Sequence, residues 1–544
     1  QHVVRFKYTP NSVKYGLYLS FLAASVLLLG LGLWAWRRLY REPEETHEAQ
    51  RITKNTVAPI ALNLVNKVID MAFAMLMLRI LGPAEAGSYY YAVVVISWLD
   101  ILTNYGLNTL VTREVSKAPE QASRYLSNTI TLRTRLWLGC VPLLALFWGA
   151  RALTVPLGGT TTLAIALFFI GLLPSNISAS YSALFMAREK MEVPASVATL
   201  TTLLRVALGT VALLMGGGYV GLAIVSIIVN VITVGVLRAQ LVHQVLRPRH
   251  EPDRALQSAM LRDAWPLMIN QLLATLFFKM AVMLLELLTR DARVLGWYST
   301  AYKYIDAVGL IPAYFTLALF PLMARYAAME KASLMRAYRL AIKVLSVTAV
   351  VLAGMISALS TELIALLGGS QYLPYASGVL QVMIWYMPIG FINSVTQYVL
   401  IALDQQRFIT RAFAIALAFN VAANVVLITW LGYESAAYVA IASEVALLVP
   451  FYVGIRRHLG TVPWLQLLLR PWAAATPMLA LFLAPGGVLR LALMPLALLA
   501  SLLLVWRLHV FDPDEAAIIA RVLPFKRVWQ RLRAAASRRG GPSD

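Results

Sequence analysis

The chain has 544 residues, of which 60% are hydrophobic and 13% are charged, and its mean hydropathy is +0.70. These values lie outside the range of soluble domains and indicate an integral membrane protein. A net charge of +21 would suit nucleic-acid binding, but Lys and Arg concentrate in alternate connections between apolar runs. This is the positive-inside distribution of a membrane protein, so we expect no nucleic-acid partner.

Apolar runs long enough to cross a bilayer recur along nearly the whole chain. They predict helices, because the strands of a membrane barrel would be shorter and would alternate in polarity. We predict fifteen spans, at residues 15–36, 56–81, 87–110, 130–150, 161–187, 194–215, 219–240, 264–289, 297–323, 337–359, 374–402, 407–430, 434–456, 471–485 and 487–508.

The charge distribution also predicts the orientation of these spans. If residues 37–55 are cytoplasmic, most Lys and Arg outside the spans fall on the cytoplasmic side. We therefore expect a multi-pass protein of the cytoplasmic membrane, with a cytoplasmic C-terminus and an extracytoplasmic N-terminus for this chain. The basic tail at 526–539 is expected to contact anionic membrane lipids.

Several kinds of chemistry find no support in the sequence. Cys140 is the single cysteine, none of the six histidines lies in a predicted span, and no phosphate-cradling or HExxH motif occurs. No nucleophile and base stand out as a pair. We predict that the protein is not an enzyme and has no metal site and no cofactor, with coupling to H⁺ or Na⁺ left open.

A faint internal repeat predicts how the spans are grouped. AGSYYYAVVVISWLD (86–100) resembles LGWYSTAYKYIDAVG (295–309), with Gly87 matching Gly296. Internal repeats in transporters commonly enclose a binding site between two halves. We predict an extra N-terminal helix and charged linker at 1–50, an N-lobe of six helices at 51–240, a cytoplasmic inter-lobe loop at 241–263, a C-lobe of six helices at 264–456, two additional helices at 457–510 and a basic tail at 511–544.

Polar residues within the spans recur at spacings of three and four, which places each set on one helix face. One-sided polar stripes in a lipid-compatible bundle predict a hydrated interior. The stripes are Asn63, Asn66, Lys67 and Asp70; Ser97, Asp100, Asn104 and Asn108; Gln271, Thr275, Lys279 and Glu286; Lys303 and Asp306; and Gln381, Trp385, Asn393 and Gln397.

Charged residues inside a membrane require a partner or water. By spacing, we expect Lys67 to pair with Asp70 and Lys303 with Asp306, either as inert glue between helices or as part of a site. Arg205 and Lys279 have no opposite charge at helical spacing. They need a partner from another helix, such as Asp100 or Glu444.

Several stretches carry a family resemblance. LRILGPAEAGSYYYAVVVISWLDILTNYGLNTLVTREVSK (78–117) resembles the polysaccharide transporter branch of the multidrug/oligosaccharidyl-lipid/polysaccharide (MOP) flippase superfamily, which typically shows A-R-x-L-G-P-x-x-Y-G and R-E-[IV]. Arg79, Gly82, Pro83 and Gly87 match the first pattern, while Ala86 replaces its tyrosine. Further similar stretches lie at 294–325 and 366–407, and the resemblance covers about residues 52–508.

The resemblance implies an all-α, two-lobed MOP/MATE-like bundle of fourteen helices (6+6+2) that follows the extra N-terminal helix. It further implies that an undecaprenyl-diphosphate-linked oligosaccharide is flipped by alternating access, with a polysaccharide polymerase or glycosyltransferases as further partners. We expect cationic side chains to bind the diphosphate and polar or aromatic ones the sugars. The candidate residues are Asn63, Lys67, Asp70, Arg79, Asp100, Arg205, Lys279, Lys303, Asp306, Gln381 and Trp385.

Three alternatives remain open from the sequence. An organic-cation antiporter of the same superfamily would use Asp70, Asp100 or Glu444. A peptidoglycan-precursor flippase would differ in substrate rather than mechanism, and a scaffold for a glycan polymerase complex would need none of the charged residues. Many members of the family carry an acidic residue near Ala281, and its absence here leaves the coupling ion undecided.

Overall fold

The computed structural model describes residues 48–484 and 487–515, with side chains from residue 62 onward. The predicted span at 15–36 and the basic tail at 526–539 therefore lie outside the described residues. In the described ranges the regular secondary structure is helical. The helices are α1 (Glu48–Asn104), α2 (Leu107–Lys117), α3 (Ala122–Leu153), α4 (Gly159–Ala187), α5 (Glu192–Leu214), α6 (Gly218–Gln244), α7 (Arg254–Thr289), α8 (Ala292–Val308), α9 (Leu310–Met329), α10 (Lys331–Ala358), α11 (Ser360–Leu367), α12 (Tyr375–Met383), α13 (Met387–Ala402), α14 (Gln406–Leu431), α15 (Ser435–Leu459), α16 (Trp464–Ala474), α17 (Thr476–Ala480) and α18 (Gly487–Arg507).

The described residues contain eleven helical segments that are long and apolar enough to cross a membrane, and one bent pair, Trp464–Ala474 with Thr476–Leu483, supplies a twelfth. The bend between the members of that pair is 45°. The span predicted at 56–81 lies within α1, and the one predicted at 87–110 covers the end of α1 and the start of α2. The predicted all-helical membrane architecture is thus confirmed, and the described helices agree with a bundle of fourteen.

Helix α1 consists of two helices joined at Gly82. This residue has φ 72° and ψ 177°, a conformation that costs glycine little and strains other residues. Pro83 follows at once, and its fixed φ suits the first turn of a helix. The sequence LGP therefore ends one span and begins the next without a loop of its own.

The chain folds into two compact units. The first contains the described residues up to Ala307 together with Thr361–Leu380 and Phe413–Ser443, and the second contains Val308–Ser360, Gln381–Ala412 and the described residues from Glu444. The lobes expected at 51–240 and 264–456 stay a prediction.

Each unit has its own apolar packing. In the first, α4 packs against α6, and α1 packs against α4 and α5. One buried cluster there gathers Leu110, Leu184 and Leu241 from α2, α4 and α6. In the second unit α10 packs against α13, α16 and α17, and the buried hydroxyls of Tyr338 and Thr396 lie 2.8 Å apart.

Two glycines allow a close helix crossing within the first unit. A Cβ atom on Gly87 would lie 1.8 Å from the carbonyl oxygen of Ala292, and one on Gly296 would lie 2.0 Å from that of Pro83. Gly87 and Gly296 are the residues matched by the internal repeat. Gly87 contacts Ala292, four residues before Gly296, and Gly296 contacts Pro83, four residues before Gly87. The crossing is therefore locally two-fold symmetric, and it leaves no room for a side chain on either helix.

We expect Gly87→Ala or Gly296→Ala to separate α1 from α8 and to lower the free energy of unfolding by about 1–3 kcal/mol, the usual cost of overpacking. Gly139→Ala in α3 is the matched control, because nothing lies within 4 Å of its added Cβ. The measurement is the thermal unfolding midpoint of the purified protein in detergent. Equal midpoints for Gly87→Ala and Gly139→Ala would contradict the close crossing.

Candidate functional site: a cation cluster

Arg205 of α5 and Asp70 of α1 form an ion pair between neighbouring helices. The Arg205 Nη2 atom lies 2.8 Å from Asp70 Oδ1, and both side chains are partly exposed. The expected pair between Lys67 and Asp70 is therefore wrong. Helical spacing puts Lys67 on the same face as Asp70, but it contains no information about a guanidinium contributed by another helix.

Lys279 of α7 pairs with Asp306 of α8, with 3.8 Å between Nζ and Oδ1. The Lys279 ammonium also lies 4.2 Å from the centre of the Tyr302 ring, within the range of a cation–π contact. The expected pair between Lys303 and Asp306 is wrong, because the Lys303 ammonium lies over the Tyr90 ring, 5.0 Å from its centre.

The partners expected for the two isolated cations also need correction. The structure pairs Arg205 with Asp70 and Lys279 with Asp306, in place of Asp100 or Glu444. The expectation that each cation requires a carboxylate from a different helix is correct, since α5 meets α1 and α7 meets α8. Sequence spacing could not predict which carboxylates would be the partners.

Lys67 and Lys303 both lie close enough to Lys279 for their charges to repel its ammonium. We call Lys67, Lys279, Lys303 and Asp306 the cation cluster. Among the described residues neither Lys67 nor Lys303 forms an ion pair, and the Lys67 side chain is exposed. The cluster thus holds three ammonium groups and one carboxylate, an arrangement that favours an anionic ligand.

A second buried cation, Arg133 of α3, was missed from the sequence. Its side chain is 0% exposed, and it donates to Ser180 Oγ at 2.7 Å, to Asn104 Oδ1 at 2.8 Å and to Asn108 Oδ1 at 2.6 Å. It also donates to a main-chain carbonyl of α4. Arg133 therefore joins α1, α2, α3 and α4 as a structural residue.

Asp100 lies within electrostatic range of Arg133. Half of its stripe, Asn104 and Asn108, is thus turned toward a buried guanidinium rather than toward a hydrated interior. A ligand role for Asp100 stays a prediction. The signal for Arg133 was its position inside the predicted span at 130–150, where a basic residue always needs an explanation.

Arg79 has a structural partner of a different kind. Its Nη2 atom donates to the carbonyl oxygens of Leu366 at 2.7 Å and Ala365 at 3.4 Å, in the last turn of α11. The final carbonyls of a helix have no partner within the helix, and basic side chains commonly cap them. Arg79 therefore caps α11.

The contact is reciprocal. Pro83 has no N–H, so the helix cannot satisfy the carbonyl of Arg79 at the end of the first part of α1. Gln371 Nε2 donates to the carbonyls of Leu78 at 3.2 Å and Arg79 at 3.3 Å, and the Tyr372 hydroxyl donates to Leu78 at 3.2 Å. Arg79 therefore hydrogen-bonds the last carbonyls of α11, and the side chains of Gln371 and Tyr372, which follow α11, hydrogen-bond the last carbonyls before the LGP motif.

The remaining candidates are distributed over both units. Asn63 is an exposed residue of α1 in the first unit, whereas Gln381 and Trp385 belong to the second. The Trp385 Nε1 atom donates to Ser357 Oγ at 3.2 Å. Glu444 is buried in the second unit, where Asn393 Nδ2 donates to it at 2.6 Å.

Sequence reasoning also missed Tyr90 and Tyr302, whose rings lie beneath the ammonium groups of Lys303 and Lys279, respectively. The tyrosine-rich repeat segments contain both residues, and that shared composition was the available signal. Within the described ranges, no three His, Cys, Asp or Glu side chains come together in a way that could hold a metal ion.

Comparison with known proteins assigns the family. Residues 52–327, half of the chain, match the family described as polysaccharide biosynthesis protein, and the chain belongs to it. A search of curated protein sequences found no match. Together with the fold, this places the protein in the polysaccharide transporter branch of the MOP flippase superfamily, as a multi-pass membrane transporter.

Several solved structures share the fold. Lipid II flippase MurJ in an inward closed conformation matches with a TM-score of 0.66 and 13% identity over 84% of this chain and 99% of the other. An inward-facing multidrug resistance MATE family transporter of the MOP superfamily matches with 0.62 and 14% identity over 74% and 97%. A MOP superfamily transporter from Pyrococcus furiosus, with a binding pocket of reversed polarity, matches with 0.53 and 14% identity over 75% and 94%.

We expect Arg79→Met to lower the thermal unfolding midpoint and to leave ligand affinity unchanged, because it removes the cap of α11 and no contact of the cation cluster. A lost cap costs about 0.5–2 kcal/mol. The measurement is the unfolding midpoint and the binding of undecaprenyl diphosphate by the same preparation. The result that would contradict the capping role is an unchanged midpoint together with weakened binding.

Proposed function

We propose that this transporter flips a polyprenyl-diphosphate-linked oligosaccharide across the cytoplasmic membrane for the synthesis of a cell-surface polysaccharide. In this proposal the cation cluster binds the diphosphate. The family supports a role in polysaccharide synthesis, and the chemistry of the site supports an anionic head group. The protein would exchange between inward-facing and outward-facing states and would need only binding energy, without a covalent step.

The observation that carries the proposal is the excess of positive charge within the cation cluster. Asp306 neutralises one ammonium at most, which leaves the charges of Lys67 and Lys303 to a ligand. A diphosphate diester carries two negative charges and several strong acceptor oxygens, so it matches two uncompensated ammonium groups. Both groups lie within predicted membrane spans, where an unpaired charge is costly unless water or a ligand meets it.

The same observation counts against the export of organic cations. Asp70, one of the carboxylates expected for that role, has a basic partner, as does Asp306, so a cationic drug bound at either one would have to displace an arginine or a lysine. The MurJ match supports a second candidate, since lipid II is also a polyprenyl diphosphate and the cluster suits either head group. The family favours a polysaccharide precursor, so the two candidates differ in the sugar alone.

The remaining parts of the proposal rest on the sequence. The positive-inside distribution supports a cytoplasmic C-terminus, and the stripe residues Asn63, Gln381 and Trp385 offer hydrogen bonds and an aromatic surface to the sugars. A polysaccharide polymerase or the glycosyltransferases that build the substrate would be further partners. H⁺ and Na⁺ both remain candidates for the coupling ion.

We expect Lys67→Gln and Lys303→Gln each to weaken binding of undecaprenyl diphosphate by about tenfold or more, the value of one charge-assisted hydrogen bond. Lys331→Gln, an exposed lysine at the start of α10, is the matched control. Binding is measured with the full-length protein in nanodiscs. In cells, the two variants should accumulate lipid-linked oligosaccharide on the cytoplasmic face of the membrane. Wild-type affinity and normal export in both variants would rule out the proposed site.

A further inference from the structure

Three aromatic rings meet within the first unit. They are Trp297 of α8, Tyr375 at the start of α12 and Tyr433 in the turn between α14 and α15. The rings of Trp297 and Tyr375 stack, with centres 4.2 Å apart and planes 19° apart, and the Tyr433 ring lies 5.6 Å from Trp297 at 47°. We call these three residues the aromatic platform.

One face of the platform is open. Tyr375 is 47% exposed although one face of its ring covers Trp297, so the exposed area belongs to the opposite face and the edge. Stacking on Trp297 fixes the plane of that ring before any ligand arrives. The exposed face of the Tyr375 ring is therefore a flat, apolar surface, about the size of one ring, with a fixed orientation.

Charged groups lie near the rings of the platform. Asp291 accepts from Arg293 Nη2 at 2.9 Å and from Arg293 Nε at 3.1 Å, which holds the guanidinium as a rigid fork. The Arg293 guanidinium lies within electrostatic range of Tyr375. Glu434 accepts a hydrogen bond of 3.4 Å from the Tyr433 hydroxyl.

These groups keep defined charge states. The hydrogen bond from Arg293 lowers the pKa of Asp291, so this carboxylate stays anionic. Burial raises the pKa of Tyr433 to about 12, so its hydroxyl stays a neutral donor. An apolar ring face beside fixed donors and acceptors is therefore present at every physiological pH.

An aromatic girdle at the lipid interface is the simplest other explanation for such rings. Trp430 fits that role, because it is 83% exposed and no ring contact involves it among the described residues. The platform differs in two respects: its rings stack across three separate segments, and a guanidinium and two carboxylates lie beside them. The acyl chains of lipids have no polar groups that could interact with this guanidinium and these carboxylates.

We propose that the aromatic platform is a sugar-binding subsite that receives a pyranose ring of the transported glycan. A pyranose has an apolar face of C–H groups, which suits the open face of Tyr375, and a rim of hydroxyls, which suits Arg293, Asp291 and Glu434. This inference rests on the proposed function. In the predicted topology the platform lies at the extracytoplasmic ends of its helices, so it would bind the glycan on the side of release.

The test compares two ligands, undecaprenyl diphosphate with one N-acetylglucosamine and undecaprenyl diphosphate without a sugar. The full-length protein in nanodiscs exposes both faces, and affinity is measured for wild type, Tyr375→Ala, Trp297→Leu and the control Trp430→Ala. We expect Tyr375→Ala and Trp297→Leu to weaken binding of the sugar-bearing lipid about three- to tenfold, the value of one aromatic stacking contact. Affinity for the bare diphosphate should not change, and this also verifies that the variants are folded.

The outcomes separate this inference from the proposed function. Equal affinity of wild type and Tyr375→Ala for the sugar-bearing lipid would overturn the subsite, as would an equal loss for both ligands. A loss in Trp430→Ala as large as in Tyr375→Ala would point to lipid anchoring and would also overturn it. The proposed function fails by a different result, namely that Lys67→Gln binds the bare diphosphate as tightly as wild type.

Discussion

The cost of a charge inside a bilayer is the constraint on which the rest of this structure depends. An uncompensated charged side chain at the centre of a membrane helix costs roughly 2.5–3.5 kcal/mol on insertion scales. Arg205 meets a carboxylate of α1, Lys279 a carboxylate of α8, and Arg133 a set of amide and hydroxyl oxygens from three helices. Each contact removes a local penalty and at the same time fixes one helix against another.

The same reasoning distinguishes structural from functional charges. Arg133 is enclosed and donates four hydrogen bonds to acceptors on neighbouring helices, so its partners come from the protein itself. Lys67 and Lys303 differ, because Lys67 is exposed, Lys303 lies over an aromatic ring, and neither pairs with a carboxylate among the described residues. In our proposal, the charges that no carboxylate neutralises are available to a ligand. This contrast, more than the number of basic residues, supports an anionic substrate.

Periodicity and composition were sufficient for the all-helical membrane architecture and roughly for the number of membrane helices, because each span is a local property of the chain. The pairs Lys67–Asp70 and Lys303–Asp306 were wrong because spacing along one helix shows which residues are neighbours on that helix and nothing about the adjacent helix. Arg79 shows the same limit: its acceptors lie in α11, almost three hundred residues away, and no local pattern could indicate them.

The crossing of Gly87 and Gly296 has a consequence for how this sequence can change. Most tight contacts in proteins involve side chains on both sides, so a larger residue at one position can be accommodated by a smaller one at the other. Here the atoms that an added Cβ would meet are carbonyl oxygens of Pro83 and Ala292, and every amino acid has that oxygen. No compensating substitution in the facing helix can make room, so the two positions are constrained separately rather than as a covarying pair.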